Sequence, residues 1–181
     1  MVPLKHRFVA ILLLGFTSPA MAATGYDSRP MWDLHPYVGI DYTLLDLESA
    51  KKNVNMVGVV GGLQFNDNLG VELSYMQNAG KIQAKEESDY SGDIKLKTFG
   101  IGVTLQADIT NGLYIKSHVG FNRHNLKASG YEENEDVGHV KLGLGYQFTP
   151  DFAAEITDSY NFSKKDNATS SGFGIQFKYY F

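Results

Sequence analysis

The chain has 181 residues and no cysteine, so neither disulfides nor thiolate chemistry holds or runs it. Its formal charge is −4, from 16 Lys and Arg against 20 Asp and Glu, and an acidic chain lacks the clustered cations that bind phosphate backbones; nucleic acid is excluded as a partner. Past the N-terminal segment no apolar stretch approaches the ~18 residues of a spanning helix, but 11 Tyr, 11 Phe and 19 Gly suit strands, whose membrane signal is weaker per segment.

Lys5, His6 and Arg7 make a basic start, Phe8 to Phe16 is an apolar run, and Ala20-Met21-Ala22 has small-x-small cleavage spacing. Residues 1–22 are predicted to be a secretory signal peptide, since the run is too short for a spanning helix and Thr17, Ser18 and Pro19 follow it directly. Cleavage would remove Lys5 and Arg7, leaving a more acidic chain with room for one domain. Residues 23–34 carry Pro30 and no alternation, and are predicted to be a periplasmic lead-in to a domain over 35–181.

From there the chain reads with period two. Val38, Ile40, Tyr42 and Leu44 share one face of a first strand, with Tyr37, Asp41 and Thr43 on the other. Val57, Val59, Leu63 and Phe65 do the same in a second, and Asp67-Asn68 turns it into a third, where Val71, Leu73 and Tyr75 oppose Glu72, Ser74 and Met76. After a polar stretch over 79–92, Phe99, Ile101, Val103, Leu105 and Ala107 mark a fourth; a turn over 108–112 with an Asn-Gly dipeptide leads to a fifth, where Leu113, Ile115, Val119 and Phe121 oppose Tyr114, Lys116, His118 and Gly120. A second polar stretch, 123–135, is expected to be a long loop. Val140, Leu142, Leu144, Tyr146 and Phe148 then oppose His139 and Lys141 in a sixth strand. Thr149-Pro150-Asp151 turns it into a seventh, where Phe152, Ala154, Ile156 and Tyr160 oppose Glu155, Thr157 and Asn161. The last strand, Phe173 to Phe181, is apolar or aromatic at every odd position.

Short turns alternating with longer polar stretches are the rhythm of an outer-membrane barrel, with turns in the periplasm and four loops outside. A soluble eight-stranded barrel with an apolar interior also alternates, but the glycine-rich polar face suits a narrow, crowded lumen. The predicted fold is all-β: an eight-stranded antiparallel up-and-down transmembrane β-barrel. With the export signal, the eight segments and the strands Gly143-Leu144-Gly145-Tyr146-Gln147-Phe148 and Phe173 to Phe181, the chain resembles the small eight-stranded outer-membrane proteins of the OmpA-barrel, OmpX/Ail and opacity-protein type. That resemblance implies an integral protein of the bacterial outer membrane, with Phe177, Tyr179 and Phe181 as the signal to the barrel-assembly machinery. It also implies a non-enzymatic structural or surface-interaction role, as an adhesin or serum-resistance factor meeting a protein or glycan through its loops. The sequence ends at Phe181, so the peptidoglycan-binding domain that follows the barrel in OmpA proteins is not expected.

An eight-stranded lumen is only wide enough for side chains, so inward charges must satisfy one another. Counting from the strand ends predicts a Glu155–Lys178 ion pair, with Glu72, Lys116, Lys141, His118 and His139 completing a polar network. Strict alternation puts Asp158 on the lipid face, which calls for a bulge or a place near the outer rim. A lipid A-modifying enzyme is the alternative function, and a small pore another; but Ser117 and His118 are adjacent and point to opposite faces, and none of His118, His124 or His139 has the His-x-Ser spacing of a deacylase. No catalytic residue, cofactor or metal is expected, and the acidic run 132–136 lacks calcium-loop spacing. Lys95, Lys97 and Arg123 fall just above the lipid-facing runs, where they are expected to meet lipopolysaccharide phosphates.

Overall fold

A computed structural model describes residues 34–47, 53–82, 94–128, 131–163 and 169–181; the signal-peptide and lead-in expectations lie outside them, as does most of 79–92. Eight strands, β1 (His35–Leu47), β2 (Val54–Gln64), β3 (Leu69–Asn78), β4 (Lys95–Thr110), β5 (Leu113–Ala128), β6 (Tyr131–Thr149), β7 (Phe152–Phe162) and β8 (Thr169–Tyr180), pair in chain order, and β8 returns to β1 to close an antiparallel barrel. Closure leaves no strand edge unpaired, which a bilayer requires.

Directly paired residues followed around the barrel from Leu69 pass Leu105, Ser117, Leu142, Asp158, Phe173, Leu44 and Asn55, and return to β3 at Ala79, a stagger of ten residues. With ~3.3 Å per residue and ~4.8 Å between strands, that stagger tilts the strands by ~40°. Tyr42, Tyr75, Phe121 and Phe173 come to a similar height at one end of the apolar band, and Phe148, Phe152, Tyr179 and Phe181 at the other, as the two aromatic girdles of a membrane barrel do.

The faces are inverted relative to a soluble protein. Phe121 is 68 % exposed and Phe177 54 %, whereas Gln176 and Lys178 on the alternate positions are 0 % and 2 % exposed. Apolar side chains meet lipid and polar ones fill the lumen, which removes the soluble, apolar-cored alternative.

Two connections differ from the sequence expectation. The turn between β2 and β3 spans four residues, Phe65 to Asn68, because the Asn66 side-chain oxygen accepts from the backbone N–H groups of Asn68 (2.9 Å) and Leu69 (2.8 Å). The stretch 123–135 is not a long loop: β5 runs on to Ala128 and β6 starts at Tyr131. Above the membrane the outward positions face water, so the chain stays extended while losing the apolar alternation that announces a strand lower down. By contrast the β4–β5 turn is as tight as its sequence suggests, with Asn111 (φ 36°) and Gly112 (φ 85°) both in the left-handed region that a two-residue hairpin turn needs.

Candidate functional site

The lumen is layered along its axis. In its periplasmic half Lys178 Nζ lies 2.7 Å from both carboxylate oxygens of Glu155 and 3.3 Å from Glu72. Glu72 also meets Lys141 at 2.7 Å and Lys116 at 3.6 Å, and Lys116 stands 3.9 Å from Glu155. The register explains this convergence: Glu72 projects from β3, Lys116 from β5, Lys141 from β6, Glu155 from β7 and Lys178 from β8, all at inward positions. The Tyr37 hydroxyl donates to Glu72 (2.8 Å) and the Tyr114 hydroxyl to Glu155 (2.8 Å), closing the layer toward the periplasm.

Asp41 is the third buried acid. It accepts from Thr43 Oγ1 (2.8 Å) and from the Gln176 side-chain amide. Three carboxylates and three ammonium groups make this part of the lumen formally neutral, which limits the cost of burying them.

Farther out the lining becomes neutral and polar. Asn161 Oδ1 accepts from Asn122 Nδ2 (2.9 Å) and meets His139 Nδ1 (2.8 Å), while His124 Nδ1 meets Thr98 Oγ1 (2.8 Å). His139 thus belongs to this layer, linked to His118 by a ring contact of 5.2 Å. Beside it, on the β1, β2 and β4 side of the outer lumen, Leu45, Val54, Met56 and Leu96 form a buried apolar cluster, with Leu47, Met76, Ile82 and Leu126 packed against it. Cavities of about 10 and 40 Å³ remain in the charged and polar layers. The sequence reading passed over Tyr37, Asp41, Tyr114, Gln176, Asn122 and Asn161 as members of the network, although alternation already marks each inward.

Outside the apolar band β5 and β6 continue as a paired ribbon. Arg123 binds Asp136 through two bonds of 2.7 and 2.8 Å, Lys127 meets Glu132 at 2.9 Å, and Asn125 donates to Asn134 (2.7 Å) and Glu132 (2.9 Å). Hydrogen bonds from Arg123 hold the Asp136 carboxyl below its ordinary range, and those from Asn125 and Lys127 do the same for Glu132. The acidic run 132–136 is therefore strand rather than loop. Lys95 and Lys97 project outward from β4, exposed, on the same face as Phe99.

Ser117 and His118 lie on opposite faces of β5, Ser117 outward and His118 buried in the lumen. Among the described residues no three His, Asp or Glu side chains gather to hold a metal. Asp158 is exposed on the lipid side, paired with Leu142 and Phe173 in an unbroken register; the irregularities fall at Asp108/Thr110 and Gln147/Thr149. There is no bulge at Asp158, and its neighbour Phe173 belongs to the outer girdle, so the carboxylate stands near the outer edge of the apolar band. Phe177, Tyr179 and Phe181 all face outward, and Tyr179 packs against Phe152 and Phe181 at ring distances of 4.9 and 5.0 Å.

A closed barrel with apolar outside, polar inside and two aromatic girdles is an integral membrane β-barrel. The family described as the outer membrane protein beta-barrel domain matches residues 8–181, and the chain belongs to it. No curated protein matches the chain. Among solved structures it is similar to Ail, the attachment invasion locus protein of Yersinia pestis, crystallised with the heparin analogue sucrose octasulfate (18 % identity, 82 % of this chain, 97 % of that one, TM-score 0.58). It is also similar to Neisserial surface protein A (18 %, 82 %, 97 %, 0.57) and to the N-terminal barrel of Pseudomonas aeruginosa OprF (16 %, 79 %, 97 %, 0.54). At these identities the likeness establishes the fold. The protein is a small eight-stranded barrel integral to the outer membrane.

Proposed function

We propose that the protein is a non-enzymatic surface-interaction protein whose working part is the β5–β6 ribbon and the rim around it, in the manner of an adhesin or serum-resistance factor. The observation that carries this reading is the continuation of β5 and β6 past Phe121 as a ladder of paired polar side chains, standing on a filled lumen. A ribbon held in this way presents a pre-ordered surface, which lowers the ordering cost of binding a partner. Its cations are already matched: Arg123 by Asp136 and Lys127 by Glu132. That favours a protein partner with mixed charge over a polyanion such as the sulfated sugar held by Ail. A lipid A-modifying activity has no support in the separation of Ser117 from His118, and a pore none in a lumen whose cavities are only about 10 and 40 Å³.

The lysines of β4 serve the membrane rather than a partner. Lys95 and Lys97 lie just outside Phe99, the partner of Tyr75 in the outer girdle, where a lipid A phosphate would gain a charge-assisted hydrogen bond. Arg123, held by Asp136, contributes to that rim as part of its ion pair.

The test shortens the ribbon: residues 124–135 are replaced by Asn-Gly, and vesicles carrying either protein are applied to cultured epithelial cells. Retention lost with the short ribbon, with the barrel still folded, supports the reading. Equal retention overturns it, and an altered lipid A mass or discrete conductance steps would favour the enzyme or the pore.

A further inference from the structure

Two glycines in the described strands face the membrane, Gly61 of β2 and Gly138 of β6. The space over Gly138 is filled by the Phe162 ring, which an added Cβ would approach to 2.2 Å. Nothing fills the space over Gly61: a Cβ there would meet only the Tyr37 carbonyl oxygen, at 3.8 Å. A glycine inside a strand weakens it, and one that its own chain does not need marks a place of close approach from outside. Gly61 forms the floor of a groove of about 700 Å³ on the lipid face, walled by Val38, Ile40, Val59, Leu73, Tyr75 and Phe99.

The groove has a direction. Gly61 pairs with Leu73, Leu73 with Ile101, and Lys97 lies four residues toward the outer end of β4 from Ile101. Two strands across and four residues along separate Lys97 from Gly61 by ~16 Å, at ~4.8 Å per strand and ~3.3 Å per residue. That is the reach of an extended fatty-acyl chain whose headgroup lies at the rim.

We infer that this groove seats an acyl chain of lipopolysaccharide while Lys97 and Lys95 hold the phosphate at its head. The inference rests on the reading of those lysines given above and adds the site of the chain. Within a bilayer the competitor is another acyl chain, so burial itself gives no preference; selection comes from fit over the bare Gly61 backbone and from the phosphate contact. The two lysines at the outer end favour lipopolysaccharide over a second copy of the barrel, because two copies would bring four exposed ammonium groups to one rim.

The test uses the folded barrel in detergent, loaded with purified lipopolysaccharide or with brominated phospholipid. Lipid retained per barrel after chromatography is read as hydroxy fatty acid or bromine, and heat-modifiable mobility reports folding. Gly61→Phe is expected to lower lipopolysaccharide retention about threefold, a small factor because one set of contacts is exchanged for another, and to leave phospholipid retention unchanged. Gly61→Val serves if the larger side chain impairs folding. Val119→Phe, the same bulk at an exposed site on β5, should change nothing. Lys95→Gln with Lys97→Gln should lower lipopolysaccharide retention with Gly61 intact. Unchanged retention in the Gly61 variants overturns the groove, and loss in the lysine variant alone leaves only the phosphate reading standing. Equal loss of both lipids overturns the assignment to lipopolysaccharide, and a wild-type dimer that Gly61→Phe converts to monomer overturns it in favour of a second copy.

Discussion

Replacing Lys178 with Met removes the ammonium that contacts both oxygens of Glu155 and leaves the lumen with three carboxylates against two lysines. Breaking a buried pair by deleting one partner costs ~3–5 kcal/mol, because the remaining charge is buried without compensation. Here part of the cost is recoverable, since Lys116 Nζ already stands 3.9 Å from Glu155. At an effective dielectric of ~20, a unit pair gains roughly 2 kcal/mol when it closes from 3.9 Å to ~2.7 Å, so the net loss should be about 2 kcal/mol. Glu155→Gln made alone leaves three lysines against two carboxylates, with Lys178 held only by Glu72 at 3.3 Å, and destabilises. Made on top of Lys178→Met it restores neutrality, and the Tyr114 hydroxyl keeps an acceptor, so it should recover about 1–2 kcal/mol. The measurement is urea unfolding of the four proteins of this cycle in lipid vesicles, followed by the unboiled gel band and circular dichroism. The decisive feature is the sign. If Glu155→Gln destabilises the Lys178→Met background as it does the wild type, the charge-balance account of the lumen is wrong.

Gly120→Ala should abolish the folded gel band, because its Cβ would stand 2.1 Å from the Ile101 carbonyl oxygen, whereas Gly143→Ala, with 3.5 Å to its nearest neighbour, should fold normally. The Arg123–Asp136 pair makes the outer ribbon pH-dependent. The Asp136 carboxyl is lowered in the folded state by its hydrogen bonds to Arg123, so its contribution is complete above the unfolded value of ~3.9 and is lost as pH falls through the folded one. Amide protection at Asn125 and Asn134, taken relative to the intrinsic exchange rate at each pH, should therefore fall on acidification below ~4, with no change in protection at Val119 or Val140; protection independent of pH at the two asparagines would remove the pair from the account. In planar bilayers the wild type should show no discrete conductance, and regular steps would refute the filled lumen.

The membrane belt was legible because lipid imposes apolar residues on every second position, and the strands from Val38 to Tyr179 follow it, with Ser117 of β5 and Asp158 of β7 as the polar exceptions. Above the belt that constraint ends. Arg123, Asn125 and Lys127 keep to the outward face as strictly as Val119 and Phe121 do, but that face is now polar, so an extended ribbon reads as a loop. Its signal is cross-strand: Arg123 opposite Asp136, Asn125 opposite Asn134 and Lys127 opposite Glu132, pairs that emerge once Ala128 is set opposite Tyr131. The lumen was half legible. Alternation named the inward residues, but Glu72 reaches Lys141 through the barrel interior from two strands that are not neighbours, a contact set by closure and stagger together.

Asp41 shows what that costs. It sits on the inward face of β1 and alternation identifies it, yet without it the lumen counts as three lysines against two acids. An unbalanced lumen would suggest an anion path; the balanced one suggests a plug. The distribution along the axis points the same way: the three acids and three lysines that balance one another lie toward the periplasm, amides and imidazoles in the middle, and Leu45, Val54, Met56 and Leu96 near the outer mouth, where Glu135 stands beside His124. A permeating ion would exchange its hydration for a lumen whose charges are already paired and whose remaining cavities are only about 10 and 40 Å³. Chemistry meant for the outside world is thus displaced to the surfaces the lumen does not control: the ribbon above the girdle and the lipid face around Gly61.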